Sequence, residues 1–103
     1  MIDAAYNIIE FMKGKSQDDL IKDKILFYAV VKNIEIMGEA ANMLTREFKL
    51  KFPEINWHEI TGMRHVLVHE YFHISPLQVY KVYTEDIPNL LPFLENLKKE
   101  LEK

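Results

Sequence analysis

An apolar stripe constrains this chain more than anything else in it. Ile34, Met37, Ala41, Leu44 and Phe48 follow one another at steps of three and four residues, the period of one face of an α-helix. A second stripe, Ile36, Ala40 and Met43, lies beside the first. Together they make an apolar face broader than one neighbouring helix can cover, so this helix is expected to be contacted on two sides. No Asn-Gly or Asp-Gly hairpin signal occurs anywhere in the chain, and the remaining punctuation reads as helix starts and stops.

The first helix is expected from Ile2 to Lys13, with Ile2, Tyr6, Ile9 and Met12 at helical spacing and Gly14 at the position just past its end. Ser16-Gln17-Asp18-Asp19 has the form of a capping box opening a second helix. That helix is expected to run, after a short break near Asp23, as far as Phe52-Pro53, where the proline ends it. Asn56-Trp57-His58-Glu59 starts a third, to about Phe72, with a weak spot at Thr61-Gly62. Ser75-Pro76-Leu77-Gln78 combines an N-cap, a proline at the first helical position and a glutamine two residues further on. This helix reaches about Thr84, and Asp86-Ile87-Pro88 restarts or kinks it. The last segment carries Leu90, Leu91, Leu94, Leu97 and Leu101 on one side. The short connections predict an all-α antiparallel bundle of about four to five helices in one domain, residues 1–103.

Composition narrows the setting. At 103 residues, 49% of them apolar, the chain has more greasy surface than so small a core can hide, which favours a homo-oligomer. It has no cysteine, hence no disulfide framework and no thiolate metal site, as befits the cytoplasm. The start MIDAAYNIIEFM lacks the basic region and cleavage site of a signal peptide. No run approaches the ~18 apolar residues of a membrane span. A net charge of −3 argues against a general nucleic-acid coat protein but leaves room for a small, locally positive cleft.

One stretch does not read as ordinary helix surface. MRHVLVHEYFH, residues 63–73, gathers Arg64, His65, His69, Glu70, Tyr71 and His73. On an ideal helix Arg64 and Tyr71 fall within about 20° of each other, whereas His69 lies about 140° from Arg64. Arg64 and His69 therefore meet on one small substrate in two ways: the helix loosens before Ser75, or a cleft on a symmetry axis collects both from each of two chains. Three readings compete. In the plainest, Arg64, Glu70 and His73 are solvated and Tyr71 covers the core edge. In the second, His65, His69 and His73, with Glu70, hold a metal ion, although catalytic zinc motifs have stricter spacing. In the third, the stretch does acid–base chemistry on a phosphate. A histidine moves protons near neutral pH, and an arginine offers a permanent, planar charge that matches phosphate oxygens. Those two groups serve RNA cleavage without a metal or other cofactor.

Arg64-x4-His69-x-Tyr71 resembles the R-x4-H-x-Y signature of HEPN-domain toxins, the HepT-like partners of minimal nucleotidyltransferases in two-gene toxin–antitoxin modules. Asn33-Ile34-Glu35-Ile36-Met37-Gly38-Glu39-Ala40-Ala41 resembles another block of that family, as do Phe52-Pro53-Glu54-Ile55-Asn56-Trp57 and Asp86-Ile87-Pro88. The ordered set spans nearly the whole chain. The resemblance implies a homodimer of HEPN-like bundles whose two motifs share one cleft. It implies a type VII-like toxin acting as a metal-independent endoribonuclease on tRNA or mRNA, with Arg64 and His69 as the catalytic pair. It also implies inhibition by AMPylation of Tyr71, catalysed by a cognate nucleotidyltransferase antitoxin. His65 stands where the family often has Asn, which leaves open a supporting role for it. Glu39 is read either as a structural carboxylate or as a group that orients Arg64, and Glu70 sets a negative charge beside an anionic substrate. The alternative function is a non-catalytic nucleotide- or partner-binding subunit of a minimal nucleotidyltransferase, a reading motivated by the net charge and Glu70.

Overall fold

The computed structural model describes the backbone of residues 1–69 and 75–102 and the side chains of residues 1–63 and 75–102. Its helices are α1 (Ile2–Met12), α2 (Gln17–Lys22), α3 (Lys24–Met43), α4 (Arg46–Leu50), α5 (Trp57–His69), α6 (Pro76–Lys81) and α7 (Ile87–Leu101). A π-helical turn, Val82–Asp86, joins α6 to α7. Among the described residues there is no strand, so the all-α bundle expected from the sequence holds. No helix among them is long and apolar enough to cross a membrane.

The local signals explain most boundaries. Gly14, at φ +74°, turns the chain out of α1, a conformation glycine adopts without a Cβ clash. Ser16 and Asp19 form the reciprocal box: the Ser16 hydroxyl accepts from the Asp19 N–H, and the Asp19 carboxylate accepts from the Ser16 N–H at 2.8 Å. That backbone bond is the main reason the Asp19 carboxyl titrates below its ordinary range. Asp23 ends α2 and caps α3, its Oδ1 accepting from the N–H groups of Ile25 and Leu26 at 3.1 Å each.

The long second helix is shorter than its apolar stripe suggested. It stops at Met43, Leu44 is extended, and Thr45 caps α4 by accepting from the Phe48 N–H at 3.1 Å. Leu44 and Phe48 still pack against the core, but across the break. Among the described residues the expected four or five helices become seven, because breaks at Asp23 and Leu44-Thr45 split the long run. The first helix also turns a different face inward. Ala4, Ala5, Ile8 and Met12 are buried, whereas Tyr6 is exposed and donates its hydroxyl to Glu95 of α7.

The kink expected at Asp86-Ile87-Pro88 takes the form of the π turn. Pro88 has no N–H to offer the carbonyl of Thr84, four residues back, and its ring crowds that carbonyl. A wider turn relieves the crowding without ending the helix. Beyond it Leu90, Leu94 and Leu97 are buried, and Leu101 is exposed.

The central helix is α3, packed chiefly against α5 and α1. Val30, Ile34, Met37 and Ala41 form its inward face and are fully buried. One polar residue enters this core. Asn33 accepts from Asn7 Nδ2 at 3.1 Å and donates to the Ala29 carbonyl at 2.8 Å. A satisfied amide pair of this kind fixes the register of α1 on α3, because sliding either helix strands a buried polar group.

Candidate functional site

Helix α5 carries the Arg-x4-His motif, and its N-terminal half is firmly held. Asn56 caps it, Oδ1 accepting from the Glu59 N–H at 3.0 Å. The Trp57 indole N–H is shared between the carbonyls of Lys49 and Phe52, at 3.2 Å each, and Phe48 meets the Trp57 ring edge-on. Trp57, Ile60 and Met63 are buried, a one-sided face that seats α5 on α3. The Phe-Pro-Glu-Ile-Asn-Trp element thus anchors the helix that bears the motif. Gly62 lies inside α5, and a Cβ there would meet nothing within 4 Å. No packing demand explains that glycine, so the weak spot read at Thr61-Gly62 remains a local softness of the helix.

Helix α5 is regular through His69. Arg64 and His69 therefore stand on one unbroken α-helix, five residues apart, with Cα positions about 140° around the axis from one another. The side chains of Arg64, His65 and His69 lie outside the described residues. So does the whole of Glu70, Tyr71 and His73, the proposed modification site among them. Glu39 is on α3, the helix against which α5 packs, and is exposed rather than buried in the bundle. It takes part in an interaction within the chain.

A second polar cluster was not legible as a site. Asp86, from the Asp-Ile-Pro element, hydrogen-bonds to Glu59 in the first turn of α5. Partial burial and then the Glu59 carboxyl raise the Asp86 carboxyl to about 6, and Lys81 only partly offsets them. The pair joins α5 to the π turn only while one of the two carboxyls is protonated, and the two residues stand too far apart in the sequence for spacing to reveal it. Its effect on stability has a definite sign. A folded-state value above the unfolded one stabilises the fold fully below about pH 4, and that contribution fades as pH rises through about 6. Asp86→Asn is expected to flatten the loss of melting temperature between pH 4 and 7. Its net effect at pH 7 is about 1 kcal/mol or less, since solvent screens a half-exposed pair. Thermal melts across that pH range check this.

An all-helical bundle with an arginine and a histidine five residues apart on a core-anchored helix defines a class of small, motif-bearing helical domains. The family profile described as "Ribonuclease HepT-like" matches residues 1–97. The chain belongs to the HepT-like ribonuclease family. Its relatives agree. "Putative RNase MJ1380" of Methanocaldococcus jannaschii is 35% identical over 99% of this chain and 87% of its own length. "Putative RNase TTE0752" of Caldanaerobacter subterraneus is 42% identical over 91% of this chain and 80% of its own. "Probable ribonuclease HepT" of Thermococcus cleftensis is 38% identical over 89% and 84%. No solved structure matches the chain.

Proposed function

We propose that this chain is the toxin of a toxin–antitoxin pair, an endoribonuclease that cleaves tRNA or mRNA at a site made by Arg64 and His69. The observation that carries the reading is the unbroken helix bearing both residues in a chain of this ribonuclease family. In the reaction the RNA 2′-oxygen bonds to the adjacent phosphorus while the bond to the 5′-oxygen breaks. The imidazole of His69 takes or gives the proton in these transfers. The guanidinium of Arg64 holds the negative charge that grows on the phosphoryl oxygens. No metal is needed for this chemistry.

The 140° between the two residues supports a homodimer. The regular backbone of α5 to His69 favours this over loosening of the helix as the way to bring them together. A cleft between two copies gathers one residue of each type from either side. His65 and Glu39 are assigned supporting parts beside the pair.

Regulation follows from Tyr71. A cognate nucleotidyltransferase transfers AMP from ATP to the Tyr71 oxygen, releasing pyrophosphate and leaving a phosphodiester on the ring. The added negative charge occupies the cleft and repels an RNA backbone. Co-expression with the nucleotidyltransferase is expected to add whole AMP groups to the intact mass, and Tyr71→Phe is expected to remove the addition while keeping toxicity. Unmodified wild-type protein after such co-expression would overturn the regulatory part and leave neutralisation to simple binding.

A further inference from the structure

One face of α6 and the π turn carries Leu77, Tyr80, Lys81, Thr84 and Glu85, which line a surface hollow of about 340 Å³. The five stand at three- and four-residue spacings, so they share one side of the helix. That volume lies at the lower end of the ~300–1,000 Å³ that small-molecule sites occupy. An aromatic ring is held in it. Tyr80 packs against the core while part of its surface stays open, and Tyr83 meets it edge-on, with centroids 5.9 Å apart. Leu77, 59% exposed, adds a second apolar surface. Lys81 and Glu85 supply one charge of each sign, 3.9 Å apart, and both side chains are more than half exposed.

The chemistry of the lining selects its occupant. A lipid chain or an apolar partner helix has no use for the two charges, and a free anion meets the Glu85 carboxylate beside the ammonium that attracts it. A flat ring with a polar edge uses every group. Its face covers Tyr80 and Leu77, an edge donor reaches Glu85, and an edge acceptor takes a hydrogen bond from Lys81. Every nucleobase has such a face, and its pairing edge offers at least one donor and one acceptor when the base is unpaired. The place fits as well. Leu77 is eight residues beyond His69, hence no more than about 28 Å from it, and α6 and α5 both touch α3. We propose that this hollow is a subsite for one unpaired base of the RNA that enters the Arg64–His69 cleft, so that the substrate is a single strand or a loop and not a duplex. Lys81 balances Glu85, so the subsite does not repel the phosphates on either side of the base.

This inference rests on the ribonuclease reading and adds the kind of RNA and a place where it is held. The test measures binding without cleavage. A short fluorescent 2′-O-methyl oligoribonucleotide, which lacks the attacking hydroxyl, is titrated with protein as a single strand and again after annealing to its complement. The single strand is expected to bind about tenfold or more tightly than the duplex. Tyr80→Ala is expected to weaken single-strand binding about 5- to 100-fold, the usual effect of removing a stacked ring, and Tyr80→Phe to keep it. Leu77→Glu guards against a fold defect in the alanine variant. Its carboxylate stands in the first turn of α6, where negative charge suits the helix, and it is expected to weaken binding by a similar factor. Leu50→Ala, at an exposed apolar residue of α4, is expected to bind as the wild type does, and circular dichroism checks the fold of each variant. Equal binding by wild type, Tyr80→Ala and Leu77→Glu would overturn the subsite, and so would a duplex that binds as well as the single strand. Cleavage of an unmodified RNA by the wild type is read separately. Protein that cleaves RNA yet binds it without regard to Tyr80 and Leu77 sinks the subsite alone. Protein that binds the single strand through Tyr80 and Leu77 and cleaves nothing sinks the ribonuclease reading alone.

Discussion

Replacing His69 by Ala is expected to lower RNA cleavage by about 10²–10⁴-fold, the usual worth of a positioned general acid or base. The far-ultraviolet spectrum and the melting temperature should stay near those of the wild type. His69 is the last residue of α5, where removing a side chain costs little helix propensity. Trp57, Ile60 and Met63, which seat the helix, lie six or more residues away towards its start. Arg64→Ala should lose activity to a similar extent, and the double variant little more, if the two groups act on one transition state as proposed. Gel assays on a defined RNA with matched protein concentrations read the loss. Undiminished toxicity in the His69 variant would favour the alternative of a non-catalytic partner-binding subunit.

Ile34→Ala is expected to have the largest effect on stability. Ile34 is fully buried at the middle of the inward face of α3, the helix that packs on both α1 and α5. Removing its side chain loses the transfer free energy and leaves a cavity, together about 2–5 kcal/mol. Against a total of about 5–15 kcal/mol for a single domain, that is a large share. For a chain of this size it lowers the melting temperature by about 4–8 °C per kcal/mol. A drop of only a few degrees in a thermal melt would mean that α3 is not the centre of the core. Loss of cleavage in this variant would follow loss of the fold, unlike the loss expected on changing His69.

The sequence was most legible where a side chain caps a helix. Ser16, Asn56 and Ser75 each accept from a backbone N–H at the helix start read from their neighbours. Gly14 stands in the left-handed turn that its place after α1 suggested. Periodicity was a poorer guide to where a helix ends. Leu44 and Phe48 keep helical spacing, yet Thr45 caps a new helix between them, and a cap outweighs a continued stripe. In α1 the large residues Tyr6 and Ile9 drew attention, but small Ala4 and Ala5 let α1 approach its neighbours closely and took the buried positions. The π turn had a signal in Pro88, which marks a disturbance without choosing its form. The motif residues Arg64, His69 and Tyr71 stood out by type and spacing. The contact of Glu59 with Asp86 did not, because two acids distant in sequence come together only through the tertiary fold.

RNA cleavage by Arg64 and His69 without a metal can be tested directly. The direct measurement incubates purified, unmodified protein with end-labelled tRNA in excess chelator and identifies the new 3′ ends. Cleavage undiminished by chelator is expected, with products ending in 2′,3′-cyclic phosphate, since the 2′-oxygen is the proposed nucleophile. Folded protein that leaves the RNA intact, or that cuts only when a divalent metal is restored, would contradict it.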